Sequence, residues 1–171
     1  MTRIQTLKNI APVRRWRTFN SMDRVRKRLL IEALILQPAI SCGFKLIGVT
    51  RTQSCLRRWA STQTQQELFR LQPKRGITLA LWAQRLAKRK RGGEGTCLIR
   101  SLALWATLLR RGVETQLRVG LRSNEGKVEA HAWLEFAGEP INESVGVVRT
   151  YQAYPRPMSF DGWREWLRKS H

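Results

Sequence analysis

Cys97 is the residue of this sequence best suited to chemistry, because it follows a glycine-rich turn at 92–95 and opens a helical pattern. In the first turn of a helix, the dipole and the free backbone N–H groups stabilise a thiolate. The same N–H groups, here those of Thr96 and Cys97, can hold an oxyanion, and Thr96 is also a suitable N-cap. The sequence therefore indicates a nucleophile at Cys97. The alternative is a small buried side chain, as many free cysteines are.

His131 is the candidate base, because the only other histidine, His171, is the last residue. It lies in the middle of a strand pattern between Ala130 and Ala132, whose small side chains leave room around the ring. An imidazole beside a helix-start cysteine can take the thiol proton and later protonate a leaving amine. The alternative is a polar strand residue with satisfied hydrogen bonds and no catalytic role.

A third residue should accept a hydrogen bond from the far ring nitrogen and hold the tautomer of the histidine. Folding the third predicted strand back on the second places Glu143 opposite His131. A slip of one residue would favour Asn142 or Ser144, and Glu135 is a further candidate. We choose Glu143 because a carboxylate also stabilises the imidazolium. Its alternative role is that of an exposed strand carboxylate.

Helices and strands must position these residues. Helical spacing of apolar residues recurs at 22–37, 77–88 and 97–109. Pro38 and Gly43 are expected to interrupt the first helical stretch. After Gly112 the apolar residues alternate, which predicts strands at 113–121, 128–136 and 141–145. A helix followed by an antiparallel meander predicts an α+β fold.

We divide the chain into a basic N-terminal arm at 1–21, a helical region at 22–91 and a cysteine–histidine core at 92–171, with 22–171 forming one compact domain. The stretch 29–49 is apolar but contains a glutamate, a proline and a lysine, so we expect a buried or surface-seated helix and no stable membrane insertion. No signal-peptide pattern precedes it. Three cysteines without a CxxC pair argue against disulfides and metal binding and favour the reducing cytoplasm.

The composition is strongly basic, with 32 Lys and Arg against 12 Asp and Glu and a net charge of +20. This charge predicts an acidic partner, which can be nucleic acid, anionic lipid, an acidic peptide or an acidic protein. A nucleic-acid-binding protein with an incidental cysteine and histidine is one reading. No zinc motif, RNA-binding aromatic signature or helix-turn-helix accompanies the charge, so we expect no nucleic-acid partner.

Three segments resemble a known family when taken together: CLIRSLAL at 97–104, LLRRG at 108–112 and AHAWLE at 130–135. They are similar to the lasso-peptide leader peptidase, which is the transglutaminase-like cysteine protease half of the maturation B protein. The resemblance spans roughly residues 22–144 and is strongest from Cys97 onward. It implies a papain- or transglutaminase-like core, in which a helix-start cysteine packs on a small antiparallel sheet.

The resemblance also implies the reaction: removal of the leader from a ribosomally made precursor, which frees the N-terminal amine of the core peptide for a separate lasso cyclase. The family's cysteine and histidine map onto Cys97 and His131, and its acid, commonly aspartate, maps onto Glu143. Members without a recognition domain work with a separate precursor-recognition protein, which we expect here. No cofactor is implied, and any ATP dependence would act through the cyclase. Acyl transfer to another amine by the same residues is an alternative.

The cations near the N-terminus are the predicted recognition surface. We expect Arg24, Lys27 and Arg28 to bind the acidic leader or the recognition protein, with the cationic run at 88–91 beside the active site. Trp133 is also expected to contact the substrate or a partner. The alternative is that the charge only keeps a tryptophan-rich protein soluble.

Overall fold

The computed structural model describes residues 21–61, 67–88, 96–124 and 127–154. The predicted basic arm before residue 21, the cations at 89–91 and the glycine turn at 92–95 lie outside these ranges. The described chain consists of helices followed by an antiparallel sheet, so the predicted α+β class is confirmed.

Five helices precede the sheet in the described ranges: α1 (Arg24–Leu46), α2 (Gly48–Ser61), α3 (Glu67–Leu71), α4 (Pro73–Lys88) and α5 (Thr96–Leu109). Their apolar faces share one core with the two long strands. The centre of this core is on α5, where Leu102, Leu104 and Leu108 are buried. Because each of these five helices contributes to this core, burial rather than local helix propensity accounts for the stability of the bundle.

α1 is longer than predicted, because neither Pro38 nor Gly43 interrupts it. Pro38 removes one helical hydrogen bond, but Leu36 and Ile40 on either side of it are buried in the core and keep the helix continuous. Gly43 instead permits close packing against α2, since a Cβ at this position would lie 2.7 Å from Thr52 Oγ1. The chain leaves α1 at Gly48, whose φ of 79° is left-handed.

The sheet has the strand order β3-β2-β1-β4. The strands are β1 (Gln116–Asn124), β2 (Lys127–Phe136), β3 (Glu139–Pro140) and β4 (Gln152–Ala153). β1 and β2 form an antiparallel hairpin, with Val119 opposite Ala132 and Gly120 opposite His131. β2 therefore agrees with the predicted second strand, whereas β1 begins later than the predicted start at Val113.

The prediction of a third strand at 141–145 is wrong. β3 ends at Pro140, and a short helix α6 (Val145–Val148) follows it. The hydroxyl of Ser144 accepts a hydrogen bond from the first turn of α6 and starts that helix. β3 also pairs Pro140 with Glu135, which shifts the register by one residue from the predicted one.

A buried ion pair joins the end of α5 to α1. Arg111 Nη1 and Nη2 each lie 2.8 Å from a carboxylate oxygen of Glu32, and the Arg111 side chain is 1% exposed. Nη1 also donates to the carbonyl of Thr107, and the guanidinium lies over the ring of Phe69. The helical region and the core therefore share a polar contact as well as an apolar one.

α1 is long and apolar enough to cross a membrane when judged by length and composition alone. Core helices of soluble proteins meet the same criterion. The side of α1 facing the protein buries Leu29, Leu30, Ala33, Leu36 and Ile40. A helix packed in this way is compatible with a soluble domain.

Candidate active site

Cys97 lies in the first turn of α5, as the sequence predicted. Its side chain is half-buried and packs against Val119 of β1 and Ala132 of β2. The other two cysteines, Cys42 and Cys55, are exposed on α1 and α2. Of the three cysteines, Cys97 is therefore the one that combines a helix start with contact to the sheet.

His131 on β2 is paired with Glu143. Its ring nitrogen Nε2 lies 3.1 Å from Oε2 of Glu143, and the two side chains are 15% and 27% exposed. An ionised carboxylate can only accept, so Nε2–H donates and Nδ1 keeps the lone pair that can take a proton. The second carboxylate oxygen accepts from the backbone N–H of Ser144 at 3.2 Å. The carboxylate therefore fixes the tautomer and the orientation of the imidazole.

Two aromatic rings limit the movement of the His131 ring. Tyr151 stacks on it with a centroid distance of 5.1 Å, and the Trp133 ring lies 6.4 Å away. Gly120 makes room for both, since a Cβ there would lie 2.8 Å from Tyr151 Cβ and 3.0 Å from Trp133 Cη2. A side chain at position 120, opposite His131, would therefore displace the Tyr151 and Trp133 rings.

Arg122 and its partner Glu129 lie on the Tyr151 side of this arrangement. The Arg122 guanidinium lies 4.8 Å over the Tyr151 ring, and its Nε donates to Glu129 at 2.7 Å. Hydrogen bonds from Asn124 and Arg122 lower the pKa of the Glu129 carboxyl below its usual value. Glu129 is therefore held by Arg122 and Asn124.

Trp133 is completely buried, which corrects the prediction that it contacts a substrate or partner. The Trp133 indole packs beside Gly120 on β1, where a Cβ would otherwise lie. The indole N–H donates to Glu135 Oε1 at 2.9 Å, and Glu135 lies 3.6 Å from Arg118. Trp133 therefore supports His131 from inside the protein, and Glu135 is bound to the indole rather than to the imidazole.

Asn142, another candidate for the third position, is held by different partners. Its Nδ2 donates to Ser101 Oγ at 2.9 Å, and its Oδ1 accepts from the Leu134 N–H at 2.7 Å. Among the candidates considered, Glu143 is the one that contacts His131 in the described part of the chain. Sequence reasoning missed Ser101, whose one signal was its position a helical turn after Cys97.

Cys97 packs against the cluster of Val119 and Ala132, and Ala132 is the residue that follows His131 in β2. Within the described ranges, no hydrogen bond joins the thiol to the imidazole. Nor do the described residues contain a group of three His, Cys, Asp or Glu side chains that could hold a metal ion. A helix-start thiol beside a strand with a shielded imidazole–carboxylate pair suits acyl transfer through a thioester.

The three cations predicted to bind a partner lie in the first turns of α1, with Arg24 and Arg28 exposed and Lys27 half-buried. Helical spacing places them on the side opposite the buried residues of α1. The same side continues with exposed aliphatic residues. We call this surface the outward face of α1, formed by Arg24, Lys27, Arg28, Ile31, Leu34 and Ile35.

Comparison with known proteins identifies a family for this chain. Residues 44–156 match the family described as the transglutaminase-like superfamily. No curated protein and no solved structure matches significantly. The matched segment covers more than half of the chain and includes Cys97, His131 and Glu143. The chain therefore belongs to the transglutaminase-like superfamily, and it is an enzyme of the cysteine peptidase or transglutaminase kind.

Proposed function

We propose that the protein is a cysteine peptidase that removes the leader from a ribosomally made lasso-peptide precursor. The observation that carries this proposal is the contact of His131 with Glu143, on a strand that packs against the helix start with Cys97. Family membership supports the acyl chemistry. The resemblance of 97–104, 108–112 and 130–135 to the leader peptidase supports the choice of substrate.

In the proposed reaction, His131 Nδ1 takes the proton of the Cys97 thiol, and Sγ attacks the carbonyl carbon of the scissile peptide bond. Backbone N–H groups of Thr96 and Cys97 stabilise the oxyanion, because the first turn of α5 offers them no helical acceptor. The C–N bond then breaks, and Nδ1–H protonates the leaving amine of the core peptide. Water, deprotonated by Nδ1, finally hydrolyses the thioester and releases the leader with a free carboxylate.

Glu143 stabilises the imidazolium during both steps through its hydrogen bond to Nε2. The thiol and imidazole need not be hydrogen-bonded before the substrate arrives, since such contacts often tighten only in the complex. We assign no cofactor to these steps. Any nucleotide requirement would belong to the partner cyclase that consumes the freed amine, and the setting proposed for both enzymes is the cytoplasm.

The outward face of α1 is the proposed docking surface for the acidic leader or for the recognition protein that carries it. Its cations suit acidic groups, and the aliphatic residues that continue the face suit an apolar segment beside them. Nucleic acid fits this face less well, because three aliphatic side chains on it would have no apolar counterpart in a phosphate backbone.

The test is to incubate the protein with a leader–core precursor peptide, with and without the recognition protein, and to determine the product masses. Leader removal predicts two fragments whose summed mass equals that of the precursor plus one water. Addition of a primary amine tests the alternative acyltransferase activity, which would instead give a leader–amine conjugate. Intact precursor under all conditions, with properly folded protein, would overturn both activities.

Glu143→Gln is expected to reduce kcat on the order of tens- to thousands-fold, because the amide keeps the size of the side chain but no longer stabilises the imidazolium. Turnover of the precursor at saturating concentration measures this. Glu135→Gln is the control, since Glu135 contacts the Trp133 indole. A wild-type rate for Glu143→Gln together with a large loss for Glu135→Gln would instead assign the orientation of His131 to Glu135.

Charge reversal on the outward face, in Arg24→Glu/Lys27→Glu/Arg28→Glu, is expected to lower kcat/KM several-fold with little change in kcat, since it acts on encounter with an acidic partner. The wild-type kcat/KM should fall as salt rises from roughly 50 to 500 mM, because salt screens exposed charges. The control reverses Arg70, Lys74 and Arg85, which are exposed on α3 and α4. An equal loss in both triple variants would assign the effect to net charge rather than to α1.

A further inference from the structure

Three side-chain hydrogen bonds connect the elements that carry the three proposed catalytic residues. Ser101 Oγ donates to the carbonyl of Ala132 at 3.0 Å and accepts from Asn142 Nδ2 at 2.9 Å. Asn142 Oδ1 accepts from the N–H of Leu134 at 2.7 Å. Ser101 is completely buried and Asn142 is half-buried, so the bond from Ser101 to the Ala132 carbonyl forms away from competing water. We call Ser101 and Asn142, with these bonds, the serine–asparagine bridge.

Each of the three elements that the bridge connects carries one proposed catalytic residue close to the point of attachment. Ser101 lies one helical turn after Cys97 on the same side of α5. Ala132 follows His131 in β2, and Asn142 precedes Glu143. The bridge therefore joins the helix of the thiol, the strand of the imidazole and the loop of the carboxylate, and its side-chain hydrogen bonds involve none of those three groups.

The bridge also explains how the edge of β2 is satisfied where no strand covers it. The Leu134 carbonyl still accepts from the N–H of Ile141 at 2.9 Å, but β3 has already ended at Pro140. Beyond that point, the side chains of Asn142 and Ser101 bond the Leu134 N–H and the Ala132 carbonyl, which a further strand would otherwise pair. At the contact between α5 and β2, side-chain hydrogen bonds thus replace the backbone hydrogen bonds of a neighbouring strand.

We infer that Ser101 and Asn142 are positioning residues, which set the distance between the Cys97 thiol and the His131–Glu143 pair. This inference rests on the proposed acyl chemistry at Cys97. Because the thiol and imidazole share no hydrogen bond of their own in the described chain, their separation depends on how α5 lies against β2. A misplacement of about 1 Å in a catalytic site can cost on the order of a hundredfold in rate.

Ser101→Ala and Asn142→Ala are the variants that test the bridge. Either change leaves a polar partner at the α5–β2 contact without its hydrogen bond. Gln84→Met is the matched control, because Gln84 is also buried and its Nε2 donates to the Arg100 carbonyl of α5 at 3.1 Å, outside the bridge. Urea unfolding of all three variants compares their stabilities.

The first readout is alkylation of Cys97 by iodoacetamide at neutral pH, in a background with Cys42→Ala and Cys55→Ala. We expect each bridge variant to react about five- to twentyfold more slowly than the parent, since the imidazole no longer assists the thiol. Gln84→Met should react at the parent rate. The double bridge variant should be no slower than the worse single one, because the two residues act as one unit.

The second readout is precursor cleavage. Both bridge variants should lose about tenfold or more in kcat with KM near the parent value, as expected for a loss of alignment rather than of binding. The inference is overturned if bridge variants match Gln84→Met in alkylation and in kcat at equal stability. If the parent protein cleaves no precursor but Cys97 alkylation still depends on Ser101 and Asn142, the bridge stands and the leader-peptidase function fails.

Discussion

Cys97→Ala is expected to abolish cleavage of the precursor while leaving the protein folded. The change removes the group that would form the thioester, and the half-buried thiol contributes little to the core. The expected loss is on the order of a millionfold in kcat, which in practice places the variant below detection. Product masses after long incubation, together with an unfolding curve that matches the wild type, provide the measurement.

The other two cysteines supply the controls. Cys42 and Cys55 are exposed on α1 and α2 and neither lies at a helix start, so Cys42→Ala and Cys55→Ala should cleave at the wild-type rate. Activity of Cys97→Ala at the wild-type rate, in a preparation free of other proteases, would remove the thiol from the mechanism. Loss of activity in all three variants would instead indicate a general sensitivity of the fold to cysteine replacement.

The parts of the fold that sequence predicted well are those in which one local pattern dominates. α5 carries an uninterrupted apolar face, and its predicted start next to Cys97 agrees with the structure. The strand pattern predicted around His131 agrees with β2, which spans the whole predicted range. In both elements the period of the sequence matches the type of element observed, so no tertiary contact changed a helix or a strand into something else.

The first helix was predicted incorrectly because its two breakers have tertiary roles. Pro38 is tolerated since core residues on both sides of it anchor the helix. Gly43 is required by a neighbour, α2, whose Thr52 occupies the space of a Cβ. Neither fact is visible until the two helices are packed together, so a reading based on local propensity assigns an interruption to both.

Contacts in the site were likewise not predictable from local sequence patterns. The predicted third strand was to bring Glu143 to His131 by cross-strand pairing, whereas the structure brings it there from a bend after Pro140. Burial of Trp133 depends on Gly120, which lies opposite His131 only in the observed register. Contacts that depend on strand register and on loop path remain ambiguous in a single sequence, because a slip of one residue reverses the faces.

Arg111→Ala is expected to lower the free energy of unfolding by about 3 kcal/mol, the largest stability effect that we predict. The change removes a side chain that is 1% exposed and leaves the Glu32 carboxylate, itself 21% exposed, without its bidentate partner. Urea denaturation measures the loss. Arg26→Ala is the control: its ion pair with Asp23 is exposed at 51% and 57%, and we expect less than about 1 kcal/mol.

A double replacement separates the ion pair from packing. Glu32→Leu combined with Arg111→Met removes both charges and keeps apolar volume, so its stability should lie within about 1 kcal/mol of the wild type, well above that of Arg111→Ala. This recovery would show that the cost of Arg111→Ala comes from the stranded carboxylate. If Arg111→Ala is as mild as Arg26→Ala, the contact between α1 and α5 rests on the apolar core alone, and Arg111 is not what attaches the helix of Cys97 to the N-terminal helix.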